Sequence, residues 1–370
     1  AMGSAAFLNE AVNQLSEAYL TLKQQELNKR IPHEDYREAL QQVKMHIADH
    51  NVYGVDLNPI AVELAEVSLW LNALSQSSVV PWFGYQLFNG NSLVGARRQV
   101  YRPGQVLSNN KEQKWYNNEP KRLAPLNPQR QPEDIYHFLL PDEGMANVSD
   151  KEAKKLNPEA FAKIKQWKAQ FLKPLTKDEL TLLQQVSGAV DKLWQQHTDM
   201  LRADRNRTED DFPIWGQTSA QHHTSTQQKD QIRATGIFNN NAKIASPYRR
   251  LKLVMDYWCA LWFWPLEQVD LLPDRSAWLF ELNLILQGEV FSFQPEQSSL
   301  FDSPAVTAIA EESPNLTGFE KPIEDLFASE IKQQSFSAQE AKAQSVKTAK
   351  GELHLERLLE QFPRLNLANT

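Results

Sequence analysis

The sequence predicts an α/β fold: a mostly parallel sheet carrying helices over residues 1–100, followed by a long and mostly helical region. Two observations predict it. In the first hundred residues short apolar strand candidates alternate with helical stretches, and a chain built in that order winds into a doubly wound parallel sheet. From residue 101 the texture changes to polar stretches rich in Gln, Asn, Lys and Pro that carry helical segments, then to an aromatic-rich apolar block over 246–295.

The elements follow in order. Ala5, Phe7, Leu8, Ala11, Val12, Leu15, Ala18, Tyr19 and Leu22 recur at helical spacing. A second helix is expected from His33 to Asp49, with Pro32 near its start. Residues 51–57 form a short apolar strand ending in Asp56 and Leu57. Asn58 then caps, and Pro59 opens, a helix over 60–74 that is apolar on most sides. Tyr85 to Phe88 is the next strand candidate, ending at the turn residues 89–93. The proline-rich stretch 103–132 reads as a loop or a long excursion across a surface, residues 153–174 and 176–200 as helices, and 216–230 as exposed and unpatterned. Helices over 249–264, stopped by Pro265, and 276–286, followed by Gly288, complete the pattern.

Composition narrows the function. The chain has 370 residues, 39 Lys and Arg against 46 Asp and Glu, so any nucleic-acid contact depends on a local patch. The single cysteine, Cys259, excludes an internal disulfide and a cysteine-based zinc cluster. No run approaches a membrane span and no signal peptide is visible, so a soluble cytoplasmic protein with no membrane partner is expected.

Three sites in the first zone can carry chemistry. Ala1, Met2, Gly3 and Ser4 precede a helix whose start offers N–H groups, although the same four residues also read as a cloning remnant. Asp56 ends a strand just before a helix, where ligands of open α/β sheets bind; its carboxylate can accept two ribose hydroxyls or serve as a turn cap. Asn91 and Ser92 follow the next strand, where an amide can read an adenine edge or simply form a turn. Elsewhere the plain structural readings lead: His222 and His223 in a solvated loop, Arg202, Arg205 and Arg207 in a salt-bridged face, Cys259 as a buried thiol and His137 as a core histidine. Trp258, Trp262, Trp264 and Trp278 read as aromatic core, or as a base-stacking platform beside Arg249, Arg250 and Lys252. No metal site is expected.

Residues 1–8, the run Gly54-Val55-Asp56-Leu57-Asn58-Pro59 with Leu69-Trp70-Leu71, and Gly90-Asn91-Ser92-Leu93 together resemble the first three motifs of the N6-adenine DNA methyltransferases, in their large restriction-modification and phage-defence branch. The continuation of the first motif through Glu10 favours native sequence over a remnant. The resemblance covers about 95 residues sharply and the rest loosely. It implies a partial Rossmann-like sheet with a helical insertion, and S-adenosyl-L-methionine as cofactor. Ala1, Met2, Gly3 and Ser4 would approach its methionine part. Asp56 would hold the ribose, Leu57 would pack on the adenine, and Asn91 with Ser92 would face that adenine.

The family's fourth motif, Asn or Asp followed by Pro-Pro and an aromatic, is not found. Asn127-Pro128-Gln129 and Ser246-Pro247-Tyr248 are incomplete versions, so the catalytic residues stay unassigned. The expectation is therefore a piece of a larger enzyme: residues 1–100 its cofactor half, 101–345 an insertion, and 346–370 a helix leading to the absent catalytic half. Expected partners are double-stranded DNA, through the full-length protein, and other defence-system subunits. Two alternatives stand beside this reading: a non-catalytic module that binds cofactor and contacts DNA or partners, and a methyltransferase for protein or small substrates.

Overall fold

The computed structural model describes residues 1–74, 80–108, 110–124, 130–212, 214–217, 223–239, 243–288, 341–348 and 352–369. These residues are mostly helical with a small sheet content. No helix among them is long and apolar enough to cross a membrane.

Helices α1 (Ala6–Leu27) and α2 (His33–Asn51) lead into strand β1 (Gly54–Asp56). Helix α3 (Pro59–Asn72) follows, then strand β2 (Leu87–Asn89). The expected α/β order is present, but the parallel sheet is small. Only β1 and β2 pair in parallel among the described residues, with Gly54 opposite Leu87 and Asp56 opposite Asn89. Both strands are shorter than the sequence suggested and begin later. Residues 51–53 are lost to the end of α2 and the link after it. Tyr85 and Gln86 form a turn in which Gln86 and Leu87 donate backbone N–H to the Phe83 carbonyl. Gln86 also donates its side-chain amide to the carbonyls of Ala48 and Val52, filling acceptors at the end of α2.

α3 starts where Asn58 and Pro59 place it: the Asn58 side chain accepts the Ile60 N–H at 3.0 Å, and Pro59 occupies a first-turn position that needs no donor. α1, α2, α3 and β2 share an apolar core around Val12, Met45, Ala65, Leu69 and Leu87.

The described residues of the stretch read as a loop or excursion hold regular elements. The stretch has strand β3 (Gln99–Tyr101) at its edge, helix α4 (Pro103–Val106), two 3-10 turns and strand β4 (Lys121–Arg122). With β5 (Ile135–Tyr136) these make an antiparallel sheet in the order β4-β3-β5. Trp115 anchors the excursion: it is buried and donates its indole N–H to the Pro141 carbonyl at 2.7 Å.

The helix expected over 153–174 is two helices, α5 (Lys151–Leu156) and α6 (Pro158–Phe171), because Pro158 cannot continue the α5 hydrogen-bond ladder. Helix α7 runs from Lys177 to Thr208, well past the expected end. Thr176 and Glu179 form a reciprocal capping box, and Arg205 and Arg207 lie in the last turn, where cations favour the helix dipole. Helix α8 (Thr226–Thr235) corrects the expectation of an unpatterned, exposed 216–230: Ser225 caps it, and Lys229 is buried against Asp210 at 2.6 Å.

Helices α9 (Pro247–Ala260) and α10 (Arg275–Gln287) form the aromatic core with α7. Gly288 ends α10 in a left-handed conformation (φ 68°), a turn that glycine adopts without a steric penalty. Arg250 donates to the carbonyls of Ile285 and Leu286 at 2.6 Å each and so finishes that helix end. Helices α11 (Leu355–Gln361) and α12 (Pro363–Asn369) add Leu358 and Leu365 to the same core. The long α7 links two of the three hydrophobic clusters. Its early turns bury Leu182, Leu183 and Val186 in the aromatic one, while Phe212, just past its end, packs into the core beneath β2.

Candidate cofactor site

Three segments meet beyond the C-terminal ends of the two parallel strands. Asp56 closes β1. Its carboxylate accepts the Asn58 N–H at 3.0 Å on one oxygen and the Gly3 N–H at 2.9 Å on the other. These two bonds, the Asn58 one first, hold its carboxyl below the usual carboxylate range. Neighbouring atoms cover the side chain to 9% exposure, yet it lies at the rim of the fold, so desolvation is only a lesser opposing effect.

The β1 carbonyls split between two edges. Asp56 O accepts the Gly90 N–H at 2.9 Å and the Asn89 side-chain amide at 3.1 Å, and that amide also reaches Leu57 O at 2.9 Å. Val55 O instead accepts the Met2 N–H at 3.2 Å, which lays residues 1–3 along the edge opposite β2. A Cβ on Gly54 would run into the Met2 sulfur, so this close approach depends on glycine. Gly3 itself has φ 56° and open space where a Cβ would stand.

All eight residues expected at the site sit on these segments. The Ala1 amino group donates to Ser92 Oγ at 2.9 Å, joining the first segment to the third. Asn91 spends its side-chain oxygen locally, on the N–H groups of Leu93 (2.9 Å) and Val94 (3.0 Å). Ser4 is exposed, at the left-handed turn through Ala5 (φ 66°) that opens α1 without a side-chain cap. Leu57 is 69% exposed, and Phe7, Ile60 and Leu93, on the three segments and the start of α3, are exposed as well.

Sequence reasoning missed Asn89, whose amide ties the ends of β1 and β2 together. Its only signal was its place at a strand end. It also missed the second role of Asn58, whose backbone N–H closes a short turn onto Asp56 while its side chain caps α3.

The lesser candidates resolve as follows. His222 and Asn127-Pro128-Gln129 lie outside the described residues. His223 faces Asp210 at 3.2 Å. Arg202 pairs with Asp199 and Arg207 with Asp204, while Arg205 lies over the Tyr53 ring. Cys259 is half-buried rather than buried, and desolvation pushes its thiol pKa up. Burial pushes His137 down to about 4, and its ring nitrogen lies 3.0 Å from the backbone of Arg97. Ser246 caps α9, so Ser246-Pro247-Tyr248 is a helix start. Trp264 and Trp278 are buried in the aromatic core, and Trp258 and Trp262 pack against it. Arg250, needed for a stacking platform, is committed to the end of α10. Among the described residues no three His, Cys, Asp or Glu converge on a metal-sized site.

A groove of about 830 Å³ lies between α6 and the start of α10. It is lined by Lys163, Trp167, Lys173 and Arg275 among others. Two of its charges serve the fold: Lys163 pairs with Asp270, and Arg275 donates to the carbonyls of Phe171 and Lys173. The strand ends pair an acceptor carboxylate with an uncovered apolar side chain, Leu57, and a backbone position, Gly3, with open space beside it.

The chain matches no family model, no curated protein and no solved structure.

Proposed function

We propose that the chain is the cofactor-binding half, with its insertion, of an S-adenosylmethionine-dependent N6-adenine DNA methyltransferase acting in restriction-modification or phage defence. The observation that carries this reading is the Asp56 carboxylate at the end of a parallel strand. An ionised carboxylate offers about four acceptor sites. Gly3 and Asn58 use one on each oxygen, which fixes the group in the charged form and leaves capacity for two vicinal ribose hydroxyls.

The surrounding residues fit the same ligand. Leu57 offers an adenine ring an uncovered apolar surface, Gly3 leaves its backbone open to the methionine part, and Asn91 and Ser92 edge the site. When bound, the cofactor supplies an electrophilic methyl group on a sulfonium. The residues of this chain bind and orient it. The grip on the extruded adenine, which the resemblance assigns to the Asn-Pro-Pro-aromatic motif, has no residue here. A second reading is a module that binds cofactor and contacts DNA or partner subunits without catalysing transfer. On either reading the protein works in the cytoplasm.

Titration calorimetry with S-adenosylmethionine tests the proposal. The wild-type chain should bind. Asp56→Ala should weaken binding by about a hundredfold, the loss of two charge-assisted hydrogen bonds. Asp56→Asn, which keeps one acceptor oxygen, should fall between them while far-UV dichroism stays unchanged. Equal affinity in all three, or no binding by the wild type, overturns the reading.

A further inference from the structure

Residues 151–177 hold eight lysines against two glutamates, inside a chain that carries more acids than bases. The stretch builds α5, α6 and the start of α7. Its apolar residues turn inward: Ile164 and Phe171 are buried, and Trp167 stacks on Phe171 with its indole N–H on the Pro273 carbonyl at 2.6 Å. The lysines stay outside. Lys151, Lys154, Lys155, Lys163, Lys165, Lys173 and Lys177 are all exposed. Lys155 pairs with Glu152, Lys163 with Asp270, and Lys168 donates to the Glu143 carbonyl. Lys151, Lys154, Lys165, Lys173 and Lys177 have no acidic partner within 4.0 Å among the described residues. A solvated face ordinarily mixes both signs. Here five of the eight lysines have no carboxylate counterion within 4.0 Å among the described residues.

We infer that the face formed by α5 and α6, continued through Lys173 and Lys177, contacts the phosphate backbone of duplex DNA. The choice of DNA among polyanions rests on the methyltransferase reading; the charge surface does not. The dimensions agree. A helix of the length of α6 spans roughly 21 Å, and B-DNA carries one charge per about 1.7 Å of axis. About a dozen phosphates therefore span α6, which carries Lys165, while Lys151 and Lys154 precede it on α5 and Lys173 and Lys177 follow it. Contacts of this kind position a duplex and raise its affinity without reading sequence.

The test is fluorescence anisotropy of the full chain with a labelled duplex of about 25 base pairs, from roughly 50 to 200 mM salt. The comparison is a variant carrying Lys151→Gln, Lys154→Gln, Lys165→Gln and Lys173→Gln. Gln keeps the helix propensity of Lys, so the fold is retained. The expected result is at least a tenfold loss of affinity at low salt. The slope of log affinity against log salt should also become shallower by about 3 to 4 units. An unchanged slope and affinity in the variant, or no DNA binding by the wild-type chain, overturns the inference. Cofactor titration of the same preparations separates the two claims. Intact cofactor binding with unchanged DNA binding sinks only the lysine surface, whereas lost wild-type cofactor binding with a lysine-dependent DNA signal sinks only the cofactor reading.

Discussion

Asp56 performs two tasks with one carboxylate. One oxygen closes the turn into α3 through the Asn58 N–H, and the other holds the Gly3 backbone at the entrance to α1. The turn alone is what a capping acid does anywhere; the bond to Gly3, across 53 residues of sequence, makes this one a junction. Asn89 completes the junction from β2 with two donated bonds to the Asp56 and Leu57 carbonyls. Asn89→Ala should therefore cost roughly 1–2 kcal/mol in urea unfolding. Asn89→Asp should cost more than Ala, since a carboxylate brings only acceptors against two carbonyl oxygens. An Asp variant as stable as wild type would show that the amide carries no load. The acid at the strand end was legible in the sequence, because a strand, an acid and an Asn-Pro helix start are adjacent. The role of Asn89 was not, because it exists only once two strands 33 residues apart pair in one register.

α3 shows the same divide at the level of an element. Asn58 and Pro59 announce its start, and its helical character is plain in the apolar run that follows. Which side is buried is not plain, because both sides are apolar. In the structure Val62, Ala65 and Leu69 face the core, whereas Ile60, Leu64, Val67 and Leu71 are exposed on the opposite side. Leu69→Ala should cost about 2–5 kcal/mol of stability, as truncation in a closed core does. Leu64→Ala should stay within about 0.5 kcal/mol of wild type, as surface changes do. Chemical denaturation of the two variants checks the assignment, and similar losses would mean that the exposed face is covered in solution. Elsewhere the limits of reading are physical. β1 and β2 have three residues each, too few for an alternating pattern to declare itself. The last turns of α7 read as polar, yet they bury Asp204, which accepts the Tyr85 hydroxyl and the Ile237 N–H. That burial depends on partners more than thirty residues away.

The molecule carries buried acids beside two of its hydrophobic clusters, and they set how its stability responds to pH. Near the smaller core Asp49 is raised to about 6, chiefly by desolvation, with Lys229 and His50 pulling the other way. In the larger core Glu281 is 2% exposed, accepts the Tyr257 hydroxyl at 2.7 Å, and lies 3.4 Å from Arg364. Burial raises it from 4.5 to about 7, against the opposing pull of Arg364 and of the Tyr257 bond. A carboxyl whose folded pKa exceeds its unfolded one binds more protons in the folded state between the two values. Stability from this group is therefore highest at acid pH, falls as pH rises from about 4.5 to about 7, and is flat beyond. Asp56 has the opposite sign: its contribution is present above its unfolded pKa and disappears only as pH falls through its lowered folded value. The two windows do not overlap, so they can be read separately. Glu281→Gln keeps an acceptor for the Tyr257 hydroxyl and removes the titration. Between pH 5 and pH 8 the wild type should lose roughly 2–3 kcal/mol more than the variant, because folding raises this carboxyl from 4.5 to about 7. Urea unfolding of both proteins across that range measures the difference. Parallel stability curves would show that Arg364 keeps Glu281 ionised throughout, and that the buried network of α9, α10 and α12 is an ion pair rather than a protonated acid held by a tyrosine.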